Sequence, residues 1–227
     1  MTFLTIGHRG VMGVEPENTL RSFARAQRSG MDVIALDVRL SKDGALVVLH
    51  DEEVDRTTDG AGPVAELTLA ELRALDAGQG ERVPVLDEVA DAVEVPLQVC
   101  VQDPATAEAL ARWILRRDLT SRVEVASFRD EVLEQVTRLV PGVRGCLYAD
   151  AHLGIVDGRA PAAGIETVAL DIHRLNLEIV ESFHAAGLRV TGRTVNTLEH
   201  LRLARALQLD GVITDFPEIR STGRFTA

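Results

Sequence analysis

Two of the six histidines in this sequence stand where acid/base groups would be expected. His8 closes the apolar run "FLTIG" and is followed at once by Arg9, in "GHRG"; His50 closes "ALVVL" and is followed by Asp51, in "HDE". Imidazole titrates near neutrality. One ring can therefore take a proton from an attacking hydroxyl while a second, as imidazolium, returns one to the leaving oxygen, each role being worth about 10² to 10⁴ in rate. Arginine presents a planar, permanently charged fork to phosphate oxygens. His8, Arg9 and His50 together point to phosphoester chemistry. The other four histidines, His152, His173, His184 and His200, read as surface or satisfied structural residues, His184 and His200 lying within helical patterns.

These residues need a scaffold that gathers strand ends. Short β-branched runs alternate with helical patterns along the whole chain, the signature of parallel strands joined by crossover helices. Strands are expected near 3–7, 32–37, 96–101, 122–127, 143–148, 166–171, 188–195 and 211–214. Helix starts are expected at Asn18, Asp103-Pro104, Asn176 and Asn196, with Gly30 and Gly187 as stops. Residues 38–85 break the alternation. "SKDG" marks a hairpin returning through "ALVVLHD", and Thr68 with Glu71 makes a capping box before a short helix, so this segment reads as an insertion after strand two. Eight βα units in a chain of 227 residues predict an α/β fold, a (β/α)8 TIM barrel, whose active sites gather at the C-terminal ends of the strands. Those ends carry His8-Arg9, Asp37, Cys100 with Gln102, Ser127, Asp171, Arg193 and Thr214-Asp215, to which the hairpin adds His50-Asp51.

Composition narrows the partners. With 46% hydrophobic residues the chain is long enough to bury one barrel-sized core, and residues 1–227 are read as a single domain without internal repeat or linker. The net charge of -11 repels phosphate backbones, so nucleic acid is not an expected partner. No apolar run approaches the length that spans a bilayer, and "MTFLTIG" lacks the features of a signal peptide; a cytoplasmic location is expected. Cys100 and Cys146, both inside apolar runs, read as buried reduced thiols.

Several motifs recur in order and in register: "GHRG", "PENT" at 16–19, "LDVRLSKDG", "VVLHD", "DRTTDGAG", "VPVLDEV", "ASF" at 126–128, "RTVN" at 193–196 and "GVITDFP". On these the chain resembles the glycerophosphodiester phosphodiesterases, of the phosphatidylinositol-specific phospholipase C-like superfamily, over essentially its whole length. The resemblance implies a (β/α)8 barrel with an insertion after strand two. It also implies hydrolysis of a small glycerophosphodiester to glycerol phosphate and an alcohol by two histidines and a divalent cation, Mg²⁺ or Ca²⁺. By position, His8 and His50 fall on the catalytic histidines, Arg9 on the phosphate-contacting arginine, and Asp51 on a residue orienting the His50 loop.

The departures from the family are concentrated at the cation. Its strand-two Glu-x-Asp ligands read Ala35-Leu36-Asp37 here, and its strand-three Glu-x-Lys reads Cys100 and Gln102; the family's tryptophan before "TVN" is Arg193. Only Asp37 remains as a metal carboxylate. A hard dication takes several oxygen ligands, so weak or absent metal binding is expected. Three readings are open: a hydrolase of doubtful metal dependence, a non-catalytic phosphoester-binding member of the family, and a metal-independent lyase in which an arginine, Arg193 before Arg39, stands for the cation. The residue types do not distinguish which histidine is acid and which is base.

Overall fold

The computed structural model describes residues 3–149 and 164–222, so His152 lies outside the described residues. Among the described residues nine strands are formed: β1 (Leu4–Gly7), β2 (Val33–Leu40), β3 (Leu46–Val48), β4 (Leu97–Cys100), β5 (Val123–Ser127), β6 (Arg144–Ala149), β7 (Ile165–Asp171), β8 (Arg189–Arg193) and β9 (Gly211–Thr214). All but β3 run parallel in the ring β1-β2-β4-β5-β6-β7-β8-β9, which closes through the pairing of β9 with β1. The expected (β/α)8 barrel is therefore present, and each expected strand is found with ends shifted by a few residues at most. Strand β3 lies outside the ring, antiparallel to the end of β2, with Val38 opposite Val48.

The helices of the described residues are α1 (Leu20–Arg28), α2 (Leu69–Leu72), α3 (Leu86–Ala92), α4 (Pro104–Arg117), α5 (Asp130–Leu139), α6 (Leu177–Ala185), α7 (Leu198–Ala206) and α8 (Glu218–Thr222). Asp103, Asn176 and the Thr68–Glu71 box cap their helices as expected. Asn18 and Asn196 do not. The caps of α1 and α7 are the next residues, Thr19 and Thr197, whose side chains accept from Ser22 N and His200 N. Either residue type satisfies an orphan amide at a helix start, and in each tandem pair the asparagine is drawn off to the barrel mouth.

Side chains alternate along a strand, so every second residue of each barrel strand enters the ring. Ile6, Ala35, Cys100, Ala126, Cys146, Ala169 and Ile213 pack there with Tyr148 as one apolar layer. Two residues further along the strands come His8, Asp37, Gln102, Phe128, Asp171 and Asp215, and Arg193 follows Thr191 on β8 in the same way. This parity corrects the expectation for Ser127. It is buried outside the ring, its Oγ accepting from Arg129 N at 3.1 Å, and Phe128 takes the mouth position. The insertion has an apolar cluster of its own, formed by Val47, Leu49, Val54, Val64, Leu72, Ala77 and Val83. Both cysteines are buried and unpaired.

Candidate active site

The first corner of the mouth is made by the turn after β1. His8 N still pairs with Thr214 O at 2.9 Å, after which Arg9 (φ 48°) and Gly10 (φ 86°) turn the chain through left-handed conformations. Glycine is required at the second. A Cβ on Gly10 would sit 2.2 Å from Ser22 Oγ, the hydroxyl that receives Val11 N and donates to Arg9 O. The turn is thus clamped onto α1, and the side chains of His8 and Arg9 project from fixed backbone.

His8 Nδ1 lies 2.7 Å from Asp215 Oδ1 at the end of β9. Asp215 Oδ2 accepts from Asn196 Nδ2 at 2.6 Å, and Asn196 Oδ1 receives Thr214 Oγ at 3.1 Å and Asp215 N at 2.9 Å. Burial pushes the Asp215 carboxyl up, but the His8 hydrogen bond and the neighbouring charges of His8 and Arg9 outweigh it and hold the carboxyl below its ordinary range. An ionised aspartate on Nδ1 keeps the Nδ1 proton in place. Nε2 is then the nitrogen available for proton transfer.

His50 repeats the device from the insertion. Its Nδ1 lies 2.5 Å from Asp51 Oδ1, and its carbonyl accepts from Arg39 Nε at 2.8 Å. Asp51 is held far below the usual carboxylate range, first by hydrogen bonds from Arg56 and further by His50, against a smaller opposing effect of burial. Arg56 also grips Glu17, Nη1 to Oε2 and Nη2 to Oε1, both at 2.8 Å. Glu17 in turn accepts from Arg9 Nη1 at 2.7 Å. Burial raises the Glu17 carboxyl, and the two arginines more than offset it, keeping it below its ordinary value.

Asp37 sits between these two corners. Asn18, in the left-handed region at φ 56°, donates Nδ2 to Asp37 Oδ2 at 3.0 Å and receives Asp37 N on Oδ1 at 3.3 Å. Arg9 Nε lies 3.1 Å from the same Oδ2. Register places Asp37 opposite Cys100, whose thiol is pushed up by burial and by Asp37 itself, so that it stays protonated; Gln102 Nε2 donates to the Cys100 sulfur at 3.1 Å. A cation here would find one carboxylate with N–H groups already on it, an alanine methyl at Ala35 and a protonated thiol. That set does not fit a hard dication, and among the described residues there is no group of three or more His, Cys, Asp or Glu side chains that could hold a metal ion.

On the far side of the mouth, the Arg193 guanidinium carbon lies 4.7 Å from the Phe128 ring centroid and 5.2 Å from that of Tyr148, with Nη2 reaching Ala149 O at 3.4 Å. Phe128 meets Tyr148 edge to face at 5.3 Å, and the buried Tyr148 hydroxyl donates to Gln98 Oε1 at 2.6 Å. Two ring faces at cation–π distance attract the guanidinium to this side of the mouth. Of the histidines expected to be structural, His184 Nε2 pairs with Asp210 at 2.9 Å, while His173 and His200 pack edge to face.

The structure thus gathers Arg9, Asp37, His50 and Asp51 in one chain of contacts, with His8 beside Arg9 in the same turn and Arg193 across the mouth on β8. Asp215 was read at a strand end without a role, and Asn196, Glu17, Asn18 and Arg56 were not singled out as site residues from sequence. Asp215 had a readable signal, since it follows the last strand as Asp51 follows His50. Glu17 and Arg56 lie 39 residues apart, beyond any local pattern.

Comparison with known proteins places the chain in a family. Residues 8–219 match the model of the glycerophosphoryl diester phosphodiesterase family. A glycerophosphodiester phosphodiesterase of Caldanaerobacter subterraneus subsp. tengcongensis is 37% identical, the alignment covering 96% of both chains. Among solved structures, an Oleispira antarctica phosphodiesterase in complex with the product sn-glycerol-3-phosphate superposes with a TM-score of 0.88 at 28% identity, over 96% of this chain and 95% of that one. A glycerophosphodiester phosphodiesterase from Thermotoga maritima gives a TM-score of 0.86 at 27% identity, over 99% of each chain.

Proposed function

Since the chain belongs to the glycerophosphoryl diester phosphodiesterase family, we propose that it cleaves a small glycerophosphodiester to glycerol phosphate and an alcohol, with His8 and His50 as the acid/base pair. The observation that carries this reading is the repeated pairing of imidazole with aspartate: His8 Nδ1 on Asp215 at 2.7 Å and His50 Nδ1 on Asp51 at 2.5 Å. An aspartate partner alone is not distinctive, since His184 has one in Asp210; His8 and His50 differ in that both follow strand ends at the mouth. Two such dyads at one barrel mouth supply the proton acceptor and the proton donor that an in-line displacement at phosphorus requires.

Arg9, with Arg193 across the mouth, contributes positive charge toward the phosphate. Arg9 donates Nη1 to Glu17 and is ion-paired with Asp37, Nε lying 3.1 Å from Oδ2 without a hydrogen bond, which holds the guanidinium still beside the position of a phosphoryl oxygen. Preorganised charge of this kind stabilises developing negative charge without reorganisation. A divalent cation, where the family uses one, would supply Lewis-acid stabilisation of the same oxygens. The methyl of Ala35, the single carboxylate of Asp37 and the protonated thiol of Cys100 do not suit one here. Asp37 instead acts as the anchor that Arg9 and Asn18 share.

The substrate reading is supported by the Oleispira relative, whose structure contains sn-glycerol-3-phosphate. No helix among the described residues is long and apolar enough to cross a membrane. Turnover of glycerophosphocholine by the wild-type protein, with H8A and H50A beside it, tests the assignment. The expected result is release of choline that falls by at least about 10²-fold in each variant; equal turnover in all three proteins would refute it.

A further inference from the structure

We propose that Arg56 is a positioning residue that locks the His50–Asp51 pair of the insertion onto the Glu17–Arg9 pair of the barrel; this rests on the acid/base role of His50 proposed above. Its guanidinium is used on both forks. One closes on Glu17, with Nη1 to Oε2 and Nη2 to Oε1 at 2.8 Å; the other closes on Asp51, with Nε to Oδ2 at 2.6 Å and Nη2 to Oδ1 at 3.0 Å. Two bidentate grips on two carboxylates define the relative position of those carboxylates in a way that a point charge would not.

The carboxylates belong to different parts of the fold. Glu17 is in the connection between β1 and α1, nearly buried, and holds Arg9 at 2.7 Å; Asp51 is in the insertion and holds His50. His50 itself is the more exposed of the two imidazoles, its side chain 43% accessible against 26% for His8. Among the described residues its ring is bonded only through Asp51, and the Asp51 side chain only by His50 and Arg56. Without Arg56 the dyad would hang from the end of β3 with its aspartate free to turn to solvent. The imidazole would then have to find its working geometry in every turnover.

Arg56 also sets the charge of the dyad. The groups facing Asp51 are His50 and Arg56 on the insertion and, through Arg56, Glu17 and Arg9 on the barrel; Arg39 from β2 holds the His50 carbonyl and pairs with Glu52 at 3.8 Å. Arg56 is the foremost cause of the low Asp51 pKa. Its loss lets the carboxyl rise toward the ordinary range, and a dyad that works only with Asp51 ionised fails as the pH falls through that value. The acid limb of kcat/KM therefore moves to higher pH.

The test compares R56A, R56Q and R56K with the wild type on glycerophosphocholine, with thermal midpoints to confirm folding. A misplaced catalytic group costs on the order of 10² in rate. R56A and R56Q are expected to lose about that factor in kcat with a smaller change in KM, to shift the acid limb upward, and to recover part of kcat in millimolar guanidinium chloride. R56K, with charge and one donor but no forks, is expected to lose kcat and to place its acid limb between those of the wild type and R56Q. In parallel, the Asp51 carboxyl carbon, followed by NMR, should titrate in the ordinary carboxylate range in R56Q and below it in the wild type. Wild-type kcat and acid limb in R56A and R56Q would overturn the proposal. A wild-type protein without turnover would instead overturn the catalytic reading, and the carboxyl titration would still decide the Arg56–Asp51 coupling: an unmoved Asp51 in R56Q refutes it.

Discussion

Replacing Asp215 by asparagine keeps shape and removes charge, and the surrounding hydrogen bonds determine how His8 responds. Asn196 cannot turn over, because its Oδ1 already receives Thr214 Oγ at 3.1 Å and Asp215 N at 2.9 Å; its Nδ2 must therefore donate to position 215. The new amide consequently directs its oxygen to Asn196 and its NH₂ to His8 Nδ1. An NH₂ there demands a lone pair on Nδ1, which moves the His8 proton to Nε2 and removes the base from the face that meets substrate. The opposite amide orientation keeps the tautomer but sets two NH₂ groups against each other in a half-buried site. Either way one charge-assisted hydrogen bond, worth about 1.5 to 3 kcal/mol, is lost, equivalent to roughly 10 to 150-fold. A full tautomer switch at a catalytic histidine can cost on the order of 10⁴. We expect D215N to fold, to bind phosphodiester with little change in KM, and to lose at least about tenfold in kcat. The assay is steady-state release of p-nitrophenol from a chromogenic phosphodiester across pH. A D215N enzyme within twofold of wild type at every pH would refute the dyad reasoning.

The geometry sets three further expected outcomes. A cation held with a Kd of about 10 mM or weaker adds under about 0.1 kcal/mol at 1 mM, so Mg²⁺ or Ca²⁺ should move the thermal midpoint by less than about 0.5 °C, whereas the double variant A35E/C100E, which restores carboxylates beside Asp37, should gain a calcium-dependent shift. Gly10→Ala forces a side chain into a left-handed residue with Ser22 Oγ at 2.2 Å; a loss of about 2 to 5 kcal/mol is expected, seen as a drop of roughly 5 to 15 °C in calorimetry. Arg193→Ala should lower kcat/KM for a phosphodiester by about tenfold or more without unfolding the barrel, and full retained activity would remove Arg193 from the phosphate site.

The barrel itself is legible in the sequence because each strand is a short apolar run bounded by turn residues, and because His8 and His50 interrupt such runs with polarity that a core would not tolerate. The hairpin and the Thr68–Glu71 box are legible for the same local reason. Local pattern fails at the choice between neighbours of equal chemistry. In Asn18-Thr19 and Asn196-Thr197 either residue can cap, and only Asp37 and Asp215, brought up by other strands, decide that the asparagines leave the helix ends. Ser127 misses the mouth by one residue, which in a strand is the whole distance between mouth and outer face. The Arg56–Glu17 grip lies beyond local reading, because a guanidinium on a polar loop looks like any solvated charge until the fold supplies its partners.

Hydrolysis by two aspartate-tethered histidines without a resident dication is the central claim. Phosphorus NMR of glycerophosphocholine incubated with EDTA-treated protein, with H8A and H50A in parallel, tests it most directly. Glycerol phosphate is expected to appear at a rate unchanged by EDTA or by added Mg²⁺ and Ca²⁺, and to be absent in both variants. Turnover abolished by EDTA and restored by a divalent ion would contradict the claim, as would accumulation of a cyclic glycerol phosphate in place of the open monoester.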